Sequence, residues 1–292
     1  MSAAEQNQLI RRAPLDQPGI GQPLDSPAAA REPNPAKLAL RKIRIPEQLL
    51  GWIIPVGILL LWELLARAGL LPPNWLPAPT LVARTVYKLA VAGELWRHIA
   101  ITLERVGIGF AFGAAAGTIL GALTGYVPVA RKLLDPILQS LRSVPSIAWV
   151  PLFLLWLGIQ ETSKITLIAL GAFFPVYLNL SVAMRHVDPK LLEVGKLFRL
   201  NNFQMVRRII LPAALPEYLV GLRSGLGLAW MFVVAAELLG ASRGIGYLMI
   251  DGEMTGRVAI VLGSVFLFAI CGKTTDWLLN FAGAKILGHR GR

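Results

Sequence analysis

The chain has 292 residues and a net charge of +12; 55% of the residues are hydrophobic and only 16% are charged. Average globular chains carry about a quarter charged residues, so this composition excludes an ordinary soluble domain and indicates that the lipid bilayer is the solvent. The single cysteine, Cys271, excludes a disulfide framework or a cysteine-rich metal site within one chain.

Residues 1–46 are predicted to form a disordered tail. They contain seven prolines and show no apolar periodicity, which is typical of a segment that cannot bury a core. They also lack the apolar region and small-residue cleavage site of a cleaved signal peptide, so we do not expect export of a soluble product.

From residue 49 onward, six apolar stretches approach the roughly 20 residues that a helix needs to cross a bilayer. The third contains Arg142, Pro145 and Pro151, and the fifth contains Glu217 and Arg223. We expect these two to be broken or tilted and packed against protein. The predicted fold class is an all-α polytopic membrane protein with six spans, at residues 49–69, 103–127, 136–157, 164–184, 212–238 and 257–281.

These spans divide the chain into four parts. The tail, 1–46, is followed by the first span with its outer connection, 47–97. A core of five helices then occupies 98–284, with a long polar loop at 185–211, and a short tail of residues 285–292 closes the chain.

The distribution of Lys and Arg predicts the topology. With a cytoplasmic N-terminus, and counting from Arg31 onward, sixteen Lys and Arg residues lie in or beside the cytoplasmic connections and six on the opposite side. This asymmetry supports an even number of spans and cytoplasmic termini. The basic surplus is therefore a topology signal, and no nucleic-acid partner is expected.

Five glycines recur every fourth residue in the second span. Helix geometry places them along one face, where small residues let a second helix approach closely. The predicted role is helix packing, and a conduit lined by bare backbone is the alternative. The five are Gly109, Gly113, Gly117, Gly121 and Gly125.

The polar loop after the fourth span is predicted to hold two short amphipathic helices. Asp188 and Pro189 form a helix start, an N-cap acceptor followed by a residue that needs no N–H donor. The first helix should run to about Arg199 and the second from 203 to 210. A loop this long inside a compact domain is usually functional. Its form suits docking in a groove of a partner protein or lying on anionic lipid.

The same loop carries the pattern EVGKLFR at 193–199, followed by IILP at 209–212. It resembles the EAA loop of binding-protein-dependent ABC transporter permeases, which reads E-A-A, three residues, G, nine residues, I-x-L-P. Other segments resemble permeases for aliphatic sulfonate, taurine, nitrate and bicarbonate, with aliphatic sulfonate the best match. These are LPAP at 76–79, RSVPSIAWVP at 142–151, LWLG at 155–158, FP at 174–175 and SRGIGY at 242–247.

The resemblance implies a type I ABC importer permease whose loop forms a coupling helix seated in an ATP-binding subunit. It implies two ATP-binding subunits, an extracytoplasmic solute-binding protein, a second permease copy in a homodimer, and a bacterial inner membrane. ATP would be bound and hydrolysed by the partner, so this chain is expected to need no cofactor and to be no enzyme. The residues assigned to coupling are Glu193, Val194, Gly195, Arg199, Ile209, Leu211 and Pro212.

Two departures from the family pattern concern the coupling loop. Val194 and Gly195 replace the two alanines, which is a mild change. Arg199 stands where the family has glycine, so either the turn is altered or the cation faces solvent. A dedicated ATP-binding partner is the expected consequence.

Charged residues inside the spans are the candidates for the substrate path. Either Arg142 or Arg223 is predicted to meet a small organic anion, although snorkelling to the membrane interface is the alternative for both. Two further pairs, Glu63 with Arg67 and Lys273 with Asp276, have the spacing of ion pairs within one helix.

Motifs for other functions are missing. The GKT sequence at 272–274 matches the end of a P-loop motif, but Leu267 stands where that motif requires its first glycine, so no P-loop is present. No metalloprotease, hydrolase or metal-ligand motif occurs. An ATP-independent secondary transporter should show inverted repeats and ionisable coupling sites, neither of which is clear, and a membrane scaffold would have no use for the regular loop.

Overall fold

Long apolar helices dominate the computed structural model, which describes residues 47–238 and 240–288. The predicted tail at 1–46 and the last four residues lie outside the described part. The described residues from 51 onward belong to one compact unit, and of the preceding unit only residues 47–50 are described. The α-helices are α1 (Glu47–Arg67), α2 (Pro79–Val91), α3 (Glu94–Tyr126), α4 (Pro128–Ser143), α5 (Trp149–Leu157), α6 (Glu161–Arg185), α7 (Pro189–Leu197), α8 (Asn202–Met205), α9 (Leu211–Leu238), α10 (Ile245–Met254) and α11 (Val258–Gly288).

Four helices within the described residues are long and apolar enough to cross a membrane. They are α3, α6, a continuous helix Asn202–Leu238 that includes α9, and Val258–Leu287 within α11. These four confirm the second, fourth, fifth and sixth predicted spans. α11 extends to Gly288, beyond residue 281, where the sixth predicted span ends.

The third predicted span is broken, as its prolines indicated. α4 ends at Ser143, a 3-10 turn covers Ser146–Ala148, and α5 follows. Val144 is extended because the residue before a proline is crowded out of the helical region. The start predicted for the third span, residue 136, is wrong: α4 already begins at Pro128, so Asp135 and Pro136 lie inside the helix.

The second short helix predicted for the polar loop is not a separate element. α8 continues through a π-helical turn, Val206–Ile210, directly into α9. A proline inside a helix loses one hydrogen bond and crowds the carbonyl four residues earlier. The wider turn immediately before Pro212 accommodates this crowding, so the helix bulges instead of ending.

Helices α3, α6 and α9 pack side by side around the main apolar core, which α10, α11 and α5 extend. A second apolar cluster lies at the C-terminal end of α6, where α7 follows. We call this end of the bundle the α7 end and the opposite end the α10 end. The first cluster includes Ile168, Ala172, Ala229 and Val233, and the second includes Leu180, Met184, Met205, Ile210 and Ala214.

Two helices were not predicted from the sequence. α2 lies in the predicted outer connection and packs on α11, where a Cβ atom on Gly263 would come within 2.7 Å of the Val86 side chain. α10 follows the motif SRGIGY and buries Ile245 and Leu248. Both are shorter than a membrane span, so a search for long apolar stretches passes over them.

Candidate coupling surface and translocation cavity

α7 begins where the sequence predicted. The Asp188 side chain accepts a hydrogen bond from the Lys190 N–H at 2.9 Å, and Pro189 occupies the first helical position. These contacts are the N-cap geometry expected for an Asp-Pro pair. The helix ends at Leu197, two residues before the predicted end.

Arg199 takes the backbone conformation that normally favours glycine. Its φ is +51°, its N–H donates to Lys196 O at 2.9 Å, and Leu200 N–H donates to Gly195 O at 3.1 Å. These two bonds form a Schellman motif, in which a left-handed residue closes the helix. The turn expected of a glycine is therefore kept, and the Arg199 side chain is exposed.

One face of α7 packs against the π turn. Gly195 is buried, and a Cβ atom there would come within 2.5 Å of Met205 Sδ and 2.6 Å of Ile209 Cδ1. Leu192 also packs on this cluster. The structure therefore brings together Gly195 and Ile209, two residues of the predicted coupling set that lie fourteen positions apart.

The other face of α7 is apolar and exposed. Leu191, Val194 and Phe198 project from it, with 73% of Phe198 accessible. Glu193 is also exposed. Burying large apolar side chains is favourable, by about 1.5 to 3 kcal/mol for each one fully buried. An uncovered set on a short helix is therefore typical of a docking surface.

The remaining predicted coupling residues lie where the π turn joins α9. Leu211 is exposed and Pro212 is half-buried. Arg207 and Arg208, also in this stretch, are exposed. An apolar face bordered by cations is thus presented at the α7 end of the bundle.

Arg142 lies at the last turn of α4 and lines a cavity of about 370 Å³. The cavity is enclosed by the break between α4 and α5, the middle of α6, and α9. Its polar lining includes Arg142 and Asn179, and Trp149, Phe174 and Phe232 supply aromatic surface. Arg142 Nη1 lies 3.5 Å from Gln139 Oε1, which is a long contact for a hydrogen bond. A cation beside aromatic rings suits a small anion with an apolar tail.

Arg223 is placed differently. Its Nε and Nη2 donate to the two carboxylate oxygens of Asp276 at 2.9 and 3.0 Å, which joins α9 to α11. Asp276 therefore forms its hydrogen-bonded ion pair across helices, and the predicted partner Lys273 contributes an electrostatic attraction to the same carboxylate. The other predicted pair does form, because Arg67 Nε donates to Glu63 Oε1 at 2.6 Å.

The glycine stripe of α3 faces α6. A Cβ atom on Gly113 would come within 2.2 Å of Ala169 O, and one on Gly117 within 2.7 Å of Phe173 O. At Gly109, Gly121 and Gly125 the corresponding distances to α6 are 2.6, 2.8 and 2.9 Å. Any side chain at these positions would push the two helices apart.

A buried ionic cluster at the α10 end was missed by the sequence analysis. Arg105 donates to Glu237 Oε1 at 2.7 Å and, through two nitrogens, to Glu161 at 2.6 and 2.7 Å. Thr102 Oγ1 donates to the same Glu237 oxygen at 2.8 Å. Glu237 is 1% exposed. This cluster ties together α3, α6 and α9.

The cluster also fixes the start of α10. Gly246 N–H donates to Glu237 Oε2 at 2.7 Å, and Ile245 N–H donates to Thr102 Oγ1 at 2.9 Å. A Cβ atom on Gly244, whose φ is +123°, would come within 2.4 Å of the Glu237 carboxylate. The two glycines of SRGIGY thus make room for Glu237. The sequence did contain a signal for this cluster, because Arg105 and Glu237 are ionisable residues at the ends of predicted spans, where such residues are usually paired.

Comparison with known proteins identifies the family. A family model for the inner membrane component of binding-protein-dependent transport systems matches residues 113–287. The chain belongs to this permease family. It is therefore a permease component of an ABC importer and an inner membrane protein with several spans, and it is not an enzyme.

Two curated relatives of the permease are aliphatic sulfonates transport permease proteins named SsuC. The protein from Bacillus subtilis is 41% identical over 240 residues, which cover 82% of this chain and 87% of the relative. The protein from Escherichia coli is 40% identical and covers 77% and 86%. The taurine transport system permease TauC of Escherichia coli is 34% identical and covers 73% and 79%.

The fold of the permease is also found among solved structures. A chain of the MetNI methionine ABC transporter, solved in inward-facing conformations, aligns with a TM-score of 0.51 at 20% identity. The alignment covers 68% of this chain and 95% of the other. Within residues 47–238 and 240–288, no group of three or more His, Cys, Asp or Glu side chains could hold a metal ion.

Proposed function

We propose that this permease imports aliphatic sulfonates, driven by ATP hydrolysis in a partner subunit. The observation that carries the proposal is the exposed apolar face of α7. The helix itself is capped and packs on the π turn through its other face, whereas this apolar face is uncovered at the end of the bundle. Relatives at 41% and 40% identity are named as aliphatic sulfonates permeases, which supports the substrate. Taurine, nitrate and bicarbonate are the competing substrates.

The proposed assembly contains two permease copies, two ATP-binding subunits and an extracytoplasmic binding protein. Six spans with cytoplasmic termini place the α7 end in the cytoplasm, where the ATP-binding subunits are. α1 and the broken α4–α5 segment would complete the six. The basic residues near α7 favour this orientation, because cytoplasmic segments are enriched in Lys and Arg.

Coupling in this proposal is mechanical. The residues Leu191, Val194 and Phe198 enter a cleft of the ATP-binding subunit, while Glu193 lies at the rim of the contact. Gly195 lets α7 lie directly on the π turn, so displacement of α7 is passed to Ile209 and then to α9. The glycine stripe of α3 serves to keep α3 and α6 packed as one body during this movement.

Arg142 is proposed to meet the substrate in the cavity, and Arg223 is proposed to have a structural role. A guanidinium offers five N–H donors to an oxyanion, and the aromatic lining would contact the alkyl group. Arg223 already donates to both oxygens of Asp276, which leaves it poorly placed to bind a second anion.

The coupling contact is tested with the variant Phe198→Ser. We expect a loss of at least about tenfold in copurification with the ATP-binding subunits, because a buried aromatic anchor is worth about 2 kcal/mol or more. Uptake of labelled butanesulfonate by cells lacking their own sulfonate transporter should fall in parallel. The control is Met254→Ser at the α10 end, where an equally apolar side chain is 83% exposed. Copurification and uptake equal to wild type in Phe198→Ser would refute the proposal.

The substrate assignment is tested with Arg142→Gln and Arg223→Gln. We expect Arg142→Gln to lower butanesulfonate uptake about tenfold, since a charge-assisted hydrogen bond contributes about 1.5 to 3 kcal/mol. Arg223→Gln should lower the amount of protein in the membrane more than the uptake per molecule. Competition by unlabelled taurine, nitrate or bicarbonate that exceeds competition by alkanesulfonates would reassign the substrate.

A further inference from the structure

Helix α4 buries little of its apolar surface within the chain. None of its sixteen residues, all of them described, is buried. Its apolar residues Val129, Leu133 and Ile137 are exposed. In contrast, Asp135 is half-buried and directed at α6. A helix with this little apolar burial needs another attachment to keep a fixed position.

That attachment is made by both oxygens of Asp135. Oδ1 accepts a hydrogen bond from the Tyr177 hydroxyl, and Oδ2 lies 3.7 Å from Arg185 Nη1. Arg185 is anchored in turn, because its Nε donates to Ser181 O at 3.1 Å. We call Asp135, Tyr177 and Arg185 the clasp.

Tyr177 gives the clasp a rigid base. Its side chain is 1% exposed and stacks on Phe173 with a centroid distance of 5.8 Å. Its backbone oxygen packs against Gly121 of α3, where an added Cβ atom would come within 2.8 Å of that oxygen. The backbone of α6 is thus packed directly on α3 at Tyr177, and burial and ring stacking limit the movement of its side chain.

The two outer residues of the clasp, Arg185 and Asp135, lie in chain segments that lead to the proposed coupling helix and to the proposed substrate arginine. Arg185 is the last residue of α6, and α7 begins four residues later at Pro189. Asp135 lies seven residues before Arg142, about 10 Å along α4 at the helical rise. The clasp therefore joins the origin of the coupling segment to the helix that carries the cavity arginine.

We propose that Asp135 is a positioning residue that makes α4, and with it Arg142, follow the α7 end of α6 during transport. The proposal rests on the proposed function, in which α7 is displaced by the ATP-binding subunit. When the end of α6 moves, the clasp carries α4 with it and changes the position of Arg142 in the cavity. Without the clasp, the displacement of α7 would reach α9 through the π turn while α4 lagged behind.

The decisive variant is Tyr177→Phe, which removes the hydroxyl and keeps the ring stacking. The matched control is Tyr218→Phe, which removes a similar hydroxyl contact, 2.8 Å to Thr118 Oγ1, between α9 and α3. In proteoliposomes containing the complete transporter, we expect butanesulfonate uptake per ATP hydrolysed to fall about fivefold in Tyr177→Phe, the change expected for one net hydrogen bond. ATP hydrolysis and Tyr218→Phe should stay within twofold of wild type.

A second measurement reports on α4 directly. Spin labels at Ser140→Cys on α4 and Val182→Cys on α6, both exposed in the wild type, are introduced with Cys271→Ser in the full-length permease in lipid nanodiscs. We expect one narrow distance distribution, which broadens in Tyr177→Phe and stays narrow in Tyr218→Phe. Asp135→Asn should broaden it less, because the amide oxygen still accepts from Tyr177 while the charge facing Arg185 is lost.

The outcomes separate the two proposals. A narrow distribution in Tyr177→Phe, or equal broadening in Tyr218→Phe, overturns the clasp. Unchanged uptake per ATP in Tyr177→Phe also overturns it. If the wild-type complex shows no ATP-dependent sulfonate uptake, the proposed function fails, and the spin-label distances still decide whether the clasp holds α4.

Discussion

At the α10 end of the bundle, charged side chains are buried and paired within the chain, whereas at the α7 end apolar side chains are exposed. Glu237 accepts hydrogen bonds from Thr102, Arg105 and Gly246 inside the protein. Phe198 and Val194, on the capped helix α7, face outward. The usual distribution of polar and apolar residues is thus reversed at both ends.

The difference separates a region that is complete within one chain from a region that requires a partner. A buried ion pair is costly unless each charge is compensated, so the α10 end is fixed by contacts that the chain itself supplies. Exposed apolar side chains are stabilised only when another surface covers them. Substitutions at the α10 end should therefore change stability, and those on the open face of α7 should change assembly.

The largest effect is expected for Glu237→Gln. Removing the buried partner of Arg105 leaves only the half-exposed Glu161 to compensate its charge. Breaking a buried ion pair costs up to about 3 to 5 kcal/mol. The amide group of glutamine would also direct its N–H donors at other donors, either at Gly246 N–H or at Thr102 and Arg105. We expect a marked fall in the thermal unfolding midpoint of the detergent-purified permease and in its amount in the membrane.

The control for that variant lies in the same cluster. The Glu161 side chain is 56% exposed, and a solvent-exposed ion pair is worth about 1 kcal/mol or less. Glu161→Gln should therefore lower the midpoint much less than Glu237→Gln. Equal losses in the two variants would contradict the burial argument.

An intermediate effect is expected for Gly113→Ala. Its new Cβ atom would overlap Ala169 O, 2.2 Å away on the α6 backbone, and overpacking of this kind costs about 1 to 3 kcal/mol. Gly107→Ala is the matched control on the same helix, because nothing lies within 4 Å of its Cβ position. Alanine has the higher helix propensity, so Gly107→Ala should leave the unfolding midpoint unchanged or raise it. The packing argument fails if the two variants behave alike.

The smallest effect is expected for Arg199→Gly. The left-handed conformation at φ +51° costs a residue with a side chain about 1 kcal/mol relative to glycine. We expect amide hydrogen exchange of residues 190–200 to slow about fivefold, with no change in the global unfolding midpoint. Arg199→Ala keeps the strain and serves as the control. Faster exchange in Arg199→Gly would show that the arginine side chain stabilises the turn.

The sequence predicted the elements that carry strong local signals. Long apolar stretches located α3, α6, α9 and α11, and Asp188 with Pro189 located the start of α7. The regular glycine spacing indicated a face of α3, although only the structure shows that this face meets α6. Such features depend on residues within one or two helical turns of each other, so a single sequence contains them.

Contacts between distant residues could not be predicted in the same way. Arg105 and Glu237 are separated by 132 positions, Arg223 and Asp276 by 53, and Tyr177 and Asp135 by 42. Local spacing instead suggested that Asp276 pairs with Lys273. A carboxylate takes the donor that the packed helices bring closest, and spacing along the chain does not determine that donor.

By itself, the sequence determined that this chain crosses a membrane, where most of its long helices run, and which loop carries the EAA-like pattern. Apolar length, charge asymmetry and capping residues act locally, so no knowledge of packing was needed. Only the tertiary structure decided which face of α7 remains open, which arginine lines the cavity and which charges are buried. Those properties depend on which helices are neighbours, and helix packing is set by contacts among residues far apart in the chain.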